Sequence, residues 1–498
     1  MIRDSFAVRT AVLRGVEAIP VVVEVSVSQG IPGVTIVGMA DTAVLESRHR
    51  VRCAMRECGF EWPRARYTLN LSPSEIRKTG TGFDLPIAVA ILGCTGQIPQ
   101  RDLDGCMFVG ELALSGGVNN VRGMVAFERL ALEQGLTLVA PSGAIATGGA
   151  DMRSIEVLTQ MTQGIGSLPP ADALSQEAED DSDQTQRLDF ADVVDQEVAK
   201  RAFVIAAAGE HGLLMVGPPG AGKSMMAKRM PTILAPLDEH DRAEALLIHS
   251  AAGQELGPLL GGARPFRAPH HAMTLGGMVG GGRPVRPGEA SLAHKGVLFL
   301  DELPEFGPSV LQALRQPMEE REVRIVRVDG TYVFPCDFML VAAANPCPCG
   351  YLGDPDHPCT CSASRIQTYQ SRIGGPLMDR IDVLVDVARP DSSRIIAGDQ
   401  GSSSAQMAEQ VAVARQFASW RRAQSDDKPD RARSVPELGL DAPARAALEG
   451  AAKRLGLGGR NIVRIARVAR TIADLAESEL VEKDHLMEAC AYRTRATL

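Results

Sequence analysis

The run Gly217-Pro218-Pro219-Gly220-Ala221-Gly222-Lys223-Ser224 fits the phosphate-loop pattern G-x-x-x-x-G-K-[ST] in full. Glycines in such a loop let backbone N–H groups face phosphate oxygens without a Cβ in the way. Lys223 is spaced to reach the β- and γ-phosphates and Ser224 to hold magnesium. A helix starting there would turn its positive end to the same phosphates. About eighty residues on, the apolar run GVLFLDE ends in Asp301 and Glu302. Asp301 would complete the magnesium shell, directly or through water, and Glu302 would orient and deprotonate the attacking water. A third apolar run, FMLVAAAN, ends in Asn345. Its amide suits positioning of that water, although a plain strand-ending residue before Pro346 explains it equally well. The chemistry is binding of a nucleoside triphosphate with magnesium, and its hydrolysis; nothing in these residues says what the energy drives.

Elements must deliver those groups. GLLMVG, GVLFLDE and FMLVAAAN read as short buried strands separated by helical stretches, the pattern of a parallel α/β sheet. From Pro443 the chain is rich in Ala, Leu and Arg with helical spacing and predicts a helical bundle. The N-terminal region mixes strands (VVVEVSVS, TIVGM, YTLNLS) with an amphipathic helix, AVLESRHRVRCAMRECGF, closed by Gly59. VRIVRVDGTYVF predicts a hairpin with a type I′ turn around Asp329-Gly330. Four regions follow: an N-terminal domain over 1–166, an acidic linker over 167–188, a nucleotide-binding domain over 189–397, and a C-terminal helical domain over 398–498. Further breaks are expected near 398–406 and 424–438, where the chain is polar and broken by Gly, Ser and Pro.

The 498 residues are 45% hydrophobic and 23% charged, ordinary for a globular protein with sizeable cores. No apolar stretch approaches the ~20 residues of a membrane span, and the start has no continuous apolar signal region; no membrane partner and a cytoplasmic location are expected. The net charge of -9 is concentrated in residues 172–197, where ten acids accompany one base, Arg187. The remainder is near neutral, which permits local basic surfaces without demanding them. Ten cysteines in so long a chain do not make a secreted disulfide framework. Four of them, Cys347, Cys349, Cys359 and Cys361, form C-x-C-x9-C-x-C. Such a set can make a tetrahedral structural zinc site; unliganded loop cysteines and redox chemistry are the alternatives.

Several longer segments carry a resemblance: RPFRAPHH (264–271), RPGEASLAHKGVLFLDELPEF (286–306), LRQPMEEREVRIVR (314–327), NPCPCGYLGD (345–354) and GGPLMDRIDVLVDV (374–387). Residues 189–390 resemble the AAA+ ATPase of the magnesium-chelatase type, and the whole chain resembles the ComM/YifB group of magnesium-chelatase-like bacterial proteins. The resemblance implies a homo-oligomeric ring, a hexamer, with ATP and magnesium bound between subunits. Asn345 then matches the residue that positions the water. Arg380 matches the arginine finger that reaches the neighbour's γ-phosphate; a surface arginine paired with Asp379 or Asp382 is the plainer reading. Arg460 matches the second sensor arginine of a C-terminal helical lid, with L-G-G-R here for the usual L-S-x-R. Ring helicases with a comparable hairpin project it into the channel, where Arg321, Arg324 and Arg327 would meet a polyanion. The Gly-rich stretch after His270 and His271 suits a pore loop, with metal ligation by the histidines a minor alternative.

Residues 1–165 resemble the Lon-protease-like fold (ribosomal S5 domain 2-like), through KTGTGFDLPIA (78–88) and FVGELALSGGVNNVRG (108–123). The protease has its nucleophilic serine where Gly82 stands, and glycine offers no nucleophile. The fold class expected is therefore α/β, with an inactive Lon-like domain, a central phosphate-loop α/β ATPase domain and a C-terminal helical lid. The resemblance implies a DNA helicase or branch-migration motor in recombination or natural transformation, with DNA and recombination proteins as partners. The alternatives are an AAA+ regulator and a chelatase-like motor, the latter disfavoured because the N-terminal region looks foreign to a chelatase subunit.

Overall fold

The computed structural model describes residues 5–62, 64–171, 188–372, 375–378, 380–398, 400–424 and 428–493. Residues 172–187, most of the expected acidic linker, lie outside the described residues, as does Asp379.

The N-terminal strands are β1 (Ser5–Arg14), β2 (Glu17–Ser28), β3 (Gly33–Val37), β4 (Arg66–Ser72), β5 (Cys106–Phe108), β6 (Thr137–Pro141) and β7 (Met152–Ile155). They form one mixed sheet in the order β3-β4-β2-β1-β5-β6-β7. Val21, Val23 and Val25 of β2 are buried at alternate positions, the period-2 pattern of a half-covered sheet. Helix α1 (Thr42–Glu57) starts on Asp41, whose carboxylate accepts from the N–H of Val44 at 2.9 Å. Helix α2 (Asp84–Thr95) is buried nearly all round. Its one charge, Asp84, is matched by the Arg50 guanidinium at 2.7 Å and the Ser47 hydroxyl at 2.5 Å, as a buried carboxylate requires.

The second sheet contains β8 (Leu213–Val216), β9 (Phe266–Arg267), β10 (Val297–Leu300), β13 (Met339–Ala344) and β14 (Val383–Asp386), all parallel, in the order β9-β10-β13-β8-β14. Its three inner strands, β8, β10 and β13, are apolar at every position because both faces are covered. Leu213, Met215, Phe299, Val341 and Val385 point into one core with α4 (Glu197–Gly209) and the C-terminal helices. Leu214, Val216, Leu298, Leu340 and Leu384 point into the other. The first strand, β8, lies between the fourth and fifth, so the chain leaving it opens at a switch in strand order, where ligands of such sheets bind.

Between β10 and β13 the hairpin β11 (Glu322–Arg327) and β12 (Gly330–Pro335) stands apart. Its turn differs from expectation. Arg327 pairs with Gly330, so Val328 and Asp329 form the turn, neither has positive φ, and the left-handed residue is Gly330 (φ +127). A type I′ turn needs positive φ at both central residues, which Val328, branched at Cβ, resists.

Helix α3 (Met124–Gln134) docks the N-terminal region on the second sheet's surroundings. The N–H of Gly123 donates to Ser250 O at 2.9 Å, and Val125 shares an apolar cluster with Leu237, Leu246 and Leu259. At a second contact Arg14 donates to the carbonyl of Asp329 at 3.1 Å and stacks on Tyr332. Among the described residues no helix is long and apolar enough to cross a membrane.

Candidate nucleotide site and cysteine cluster

Strand β8 ends at Val216 and the chain turns through the phosphate loop into α5 (Lys223–Arg229). Gly222 caps that helix with φ +84, a conformation an L side chain resists. The loop, Asp301, Glu302 and Asn345 line one open cleft of about 430 Å³. The carboxyl ends of the three neighbouring strands β8, β10 and β13 bring them together, because parallel strands all end at the same edge.

Within the cleft Ser224 Oγ donates to Asp301 Oδ2 at 2.5 Å. Adjacent oxygens of an octahedral magnesium shell lie about 3 Å apart, so a small opening of this pair fits the ion. Lys223 Nζ donates to the carbonyls of Gly217 (2.7 Å) and Pro218 (2.9 Å) and to Asn345 Oδ1 (3.1 Å). Burial pushes the Lys223 ammonium down to about 8, against the opposing pull of Asp301 and Glu302. Phosphate oxygens would replace the carbonyls as acceptors and supply the missing countercharge. Glu302 is exposed, sits at φ +50, and donates its backbone N–H to Asp301 Oδ1 at 2.9 Å.

Glu302 has a partner that sequence reasoning missed. His271 Nδ1 lies 3.4 Å from Glu302 Oε2, and the His271 ring packs edge-on to Phe306. The histidine pair was visible in the sequence, but its contact with a carboxylate about thirty residues away was not. It follows from β9 and β10 being paired neighbours.

Arg380 and Arg460 do not line this cleft. Arg380 precedes β14 at the sheet's opposite edge: the N–H of Asp382 donates to Gly212 O at 2.9 Å, just before β8 begins. The phosphate loop leaves the far end of that strand, about 13 Å on. Arg380 contacts Glu319 of its own chain, and burial, then the like charges of Arg315, Arg460 and Arg464, lower its affinity for its proton. Arg464 pairs with Asp382 at 3.4 Å, so this edge gathers cations. Of the two carboxylates offered as plain partners for Arg380, Asp382 is engaged with Arg464 and with His211 at 3.4 Å. Arg460 lies in the first turn of the helix Gly459–Leu475 of the C-terminal region, which begins on Gly458 without a side-chain cap, as L-G-G-R in place of L-S-x-R implies.

The hairpin arginines are placed unequally. Arg321 is at the base, bonded to Asp337 at 2.8 Å, and Arg324 is paired with Glu322 on its own strand. Only Arg327 stands near the tip, between the exposed Val326 and Val328. Arg321 is therefore not positioned to meet a polyanion at the tip.

The four clustered cysteines converge. Their sulfurs all lie within 4.8 Å of one another, with Cys347–Cys349 at 3.3 Å and Cys347–Cys359 and Cys349–Cys359 at 3.6 Å. The Tyr351 N–H holds the Cys349 thiol down at about 6.

The sheet order and the composition of the cleft define a phosphate-loop nucleotide-binding domain of the AAA+ kind. Residues 189–395 match the family profile described as magnesium chelatase, subunit ChlI; residues 23–143 match subunit ChlI of Mg-chelatase, and 401–493 its C-terminal part. Along nearly its whole length the chain is 37% identical to the uncharacterized protein YifB of Escherichia coli (98% of this chain, 96% of the relative) and 38% identical to the competence protein ComM of Haemophilus influenzae (97% and 96%). The protein thus belongs to the ComM/YifB family of magnesium-chelatase-like proteins, a membership that points to ATPase activity and to use of nucleotide and magnesium. A stretch covering 23% of the chain is 34% identical to an archaeal Lon protease of Thermococcus kodakarensis. The match at 23–143 removes one expectation: the N-terminal region also resembles a chelatase sequence, so it gives no ground for setting that class aside.

Proposed function

We propose that this protein is an ATP-driven, ring-forming DNA motor, a helicase or branch-migration translocase serving recombination or natural transformation. The carrying observation is the division of the machinery over two edges of one sheet. Lys223, Ser224, Asp301, Glu302 and Asn345 share a cleft at the carboxyl edge. Arg380, with Arg460 and Arg464 near it, stands at the opposite edge. A subunit cannot bring both to its own nucleotide, whereas a neighbour in a ring can present one edge to the other. In that arrangement Arg380 exchanges Glu319 for the neighbouring γ-phosphate and compensates charge developing in the transition state. Arg460 lies beside it as a second cation. Asp301 and Ser224 hold magnesium, Glu302 activates water, and Asn345 orients it.

DNA as the load is supported by the likeness to a competence protein and by the exposed hairpin tip at Arg327. The test is the ATPase rate with and without single-stranded and forked DNA, followed by strand displacement. Stimulation by DNA is expected; absence of both stimulation and binding at low salt refutes the DNA motor. A second reading, an AAA+ regulator or chelatase-like motor that remodels a protein or metal-insertion complex, is favoured by the chelatase matches in all three parts of the chain. It predicts turnover that responds to a protein partner and not to DNA.

A further inference from the structure

The cysteine loop lies against the nucleotide cleft. Cys347 follows Asn345 by two residues, and Asn345 is bonded to Lys223. Gly350, buried and at φ +86, faces Pro219 of the phosphate loop so closely that a Cβ there would lie 2.5 Å from the proline Cδ. The segment between Cys349 and Cys359 reaches the strand on the other side of β8. Arg389, just beyond β14, stacks over Tyr351 at 5.4 Å and lies 3.6 Å from Asp354, while Tyr351 stacks on His357. Behind the cluster, Gln370 of α6 (Ala363–Arg372) donates to Pro346 O at 3.2 Å. The loop thus leaves the fourth strand, crosses Pro219 and is pinned beside the fifth, spanning the strand that carries the phosphate loop.

The sulfur geometry fits a metal. A tetrahedral zinc site with Zn–S near 2.3 Å has S···S edges of about 3.8 Å. The separations of 3.3 and 3.6 Å approach that value and are far longer than the ~2.05 Å of a disulfide. The backbone N–H of Cys361 also points at Cys359 Sγ, at 3.5 Å, a contact that favours thiolate.

We propose that Cys347, Cys349, Cys359 and Cys361 bind one zinc ion as four thiolates, and that this metal-closed loop clamps the phosphate loop through Gly350 and Pro219, so that metal occupancy sets nucleotide affinity. Each cysteine still protonated gives its proton to solvent on binding, and no electrons move. The clamp rests on the cleft being a nucleotide site, and not on what the ATPase drives.

The test uses the full chain and no turnover. Zinc is measured by elemental analysis, then released with a mercurial while a zinc indicator and a fluorescent ATP analogue are followed together. The expected result is one zinc per chain and a loss of Mg·nucleotide affinity of roughly tenfold or more on release, an effect of about 1.4 kcal/mol. Chains without zinc, iron with visible absorption in its place, or disulfides among the four sulfurs each overturn the site. Release of zinc with unchanged nucleotide affinity overturns the clamp. Gly350→Ala, which leaves the four cysteines untouched, separates the two parts: zinc is expected to stay stoichiometric while nucleotide affinity falls, and undiminished affinity counts against the clamp. Failure of the nucleotide reading itself is recognised apart from these outcomes, because the zinc-loaded wild-type protein would then not bind the analogue at all.

Discussion

Single residues of the cleft carry predictions that differ in what they measure. Glu302→Gln removes the carboxylate proposed as the base and leaves Lys223, Ser224 and Asp301 in place, so Mg·ATP binding is expected to persist while turnover falls roughly a hundred- to ten-thousand-fold. Turnover near wild type in single-turnover assays refutes the assignment. Lys223 gives a pH dependence with a definite sign. Its folded value of about 8 lies below the usual lysine range because of burial. Phosphates hold the ammonium charged, so above pH 8 binding of Mg·ATP takes up a proton and affinity falls about tenfold per pH unit; below pH 8 it is flat. Calorimetry in buffers of different ionisation heat reads that proton directly. The types of these residues were legible in the sequence, because a phosphate loop is local. The contact of His271 with Glu302 was not, since it depends on which strands are neighbours.

Helices and hairpins set how far the sequence reading reached. The apolar strands were visible as runs because burial on both faces leaves no polar position. The hairpin was visible too, but its turn slipped by one residue, because a strong Asp-Gly signal competed with the pairing of Arg327 and Gly330. In the helix Gly459–Leu475, Arg470 is almost wholly buried, 3.0 Å from Asp474 and bonded to the carbonyl of Glu479 at 2.9 Å. Arg470→Ala leaves Asp474 with Arg421 alone and is expected to destabilise the chain by about 3 kcal/mol, read from the denaturant midpoint. The Gly-rich stretch after His271 is tied to Glu302 by that histidine. His271→Ala is accordingly expected to change the stimulation of turnover by DNA at least about twofold while Mg·ATP affinity stays constant, as a positioning residue would. Equal DNA stimulation in both proteins counts against the link.

For the whole molecule the decisive question is whether one site needs two chains. Arg380→Ala should bind Mg·ATP normally and turn over poorly; Lys223→Ala should not bind. If the site is shared, mixing the two inactive variants forms some junctions with an intact phosphate loop and an intact arginine, and activity returns in part. Mixtures as inactive as their components, despite proven co-assembly, refute the shared site. The same scale explains the N-terminal region. Its Lon-like motifs were readable, yet its docking through Val125 onto Leu237 and Leu246, and through Arg14 onto the hairpin, joins residues more than a hundred positions apart.

The sequence by itself determined the chemistry available: a phosphate loop, two carboxylates at a strand end and a cluster of four cysteines, because each is written in a short span whose spacing suffices. Only the tertiary structure decided which of these groups meet. Parallel strands carry Lys223, Asp301, Glu302 and Asn345 to one edge and leave Arg380 at the other, and the return of the chain over Pro219 sets the cysteines against the phosphate loop. Strand order and chain direction are properties of long-range pairing, and no local pattern of residues encodes them.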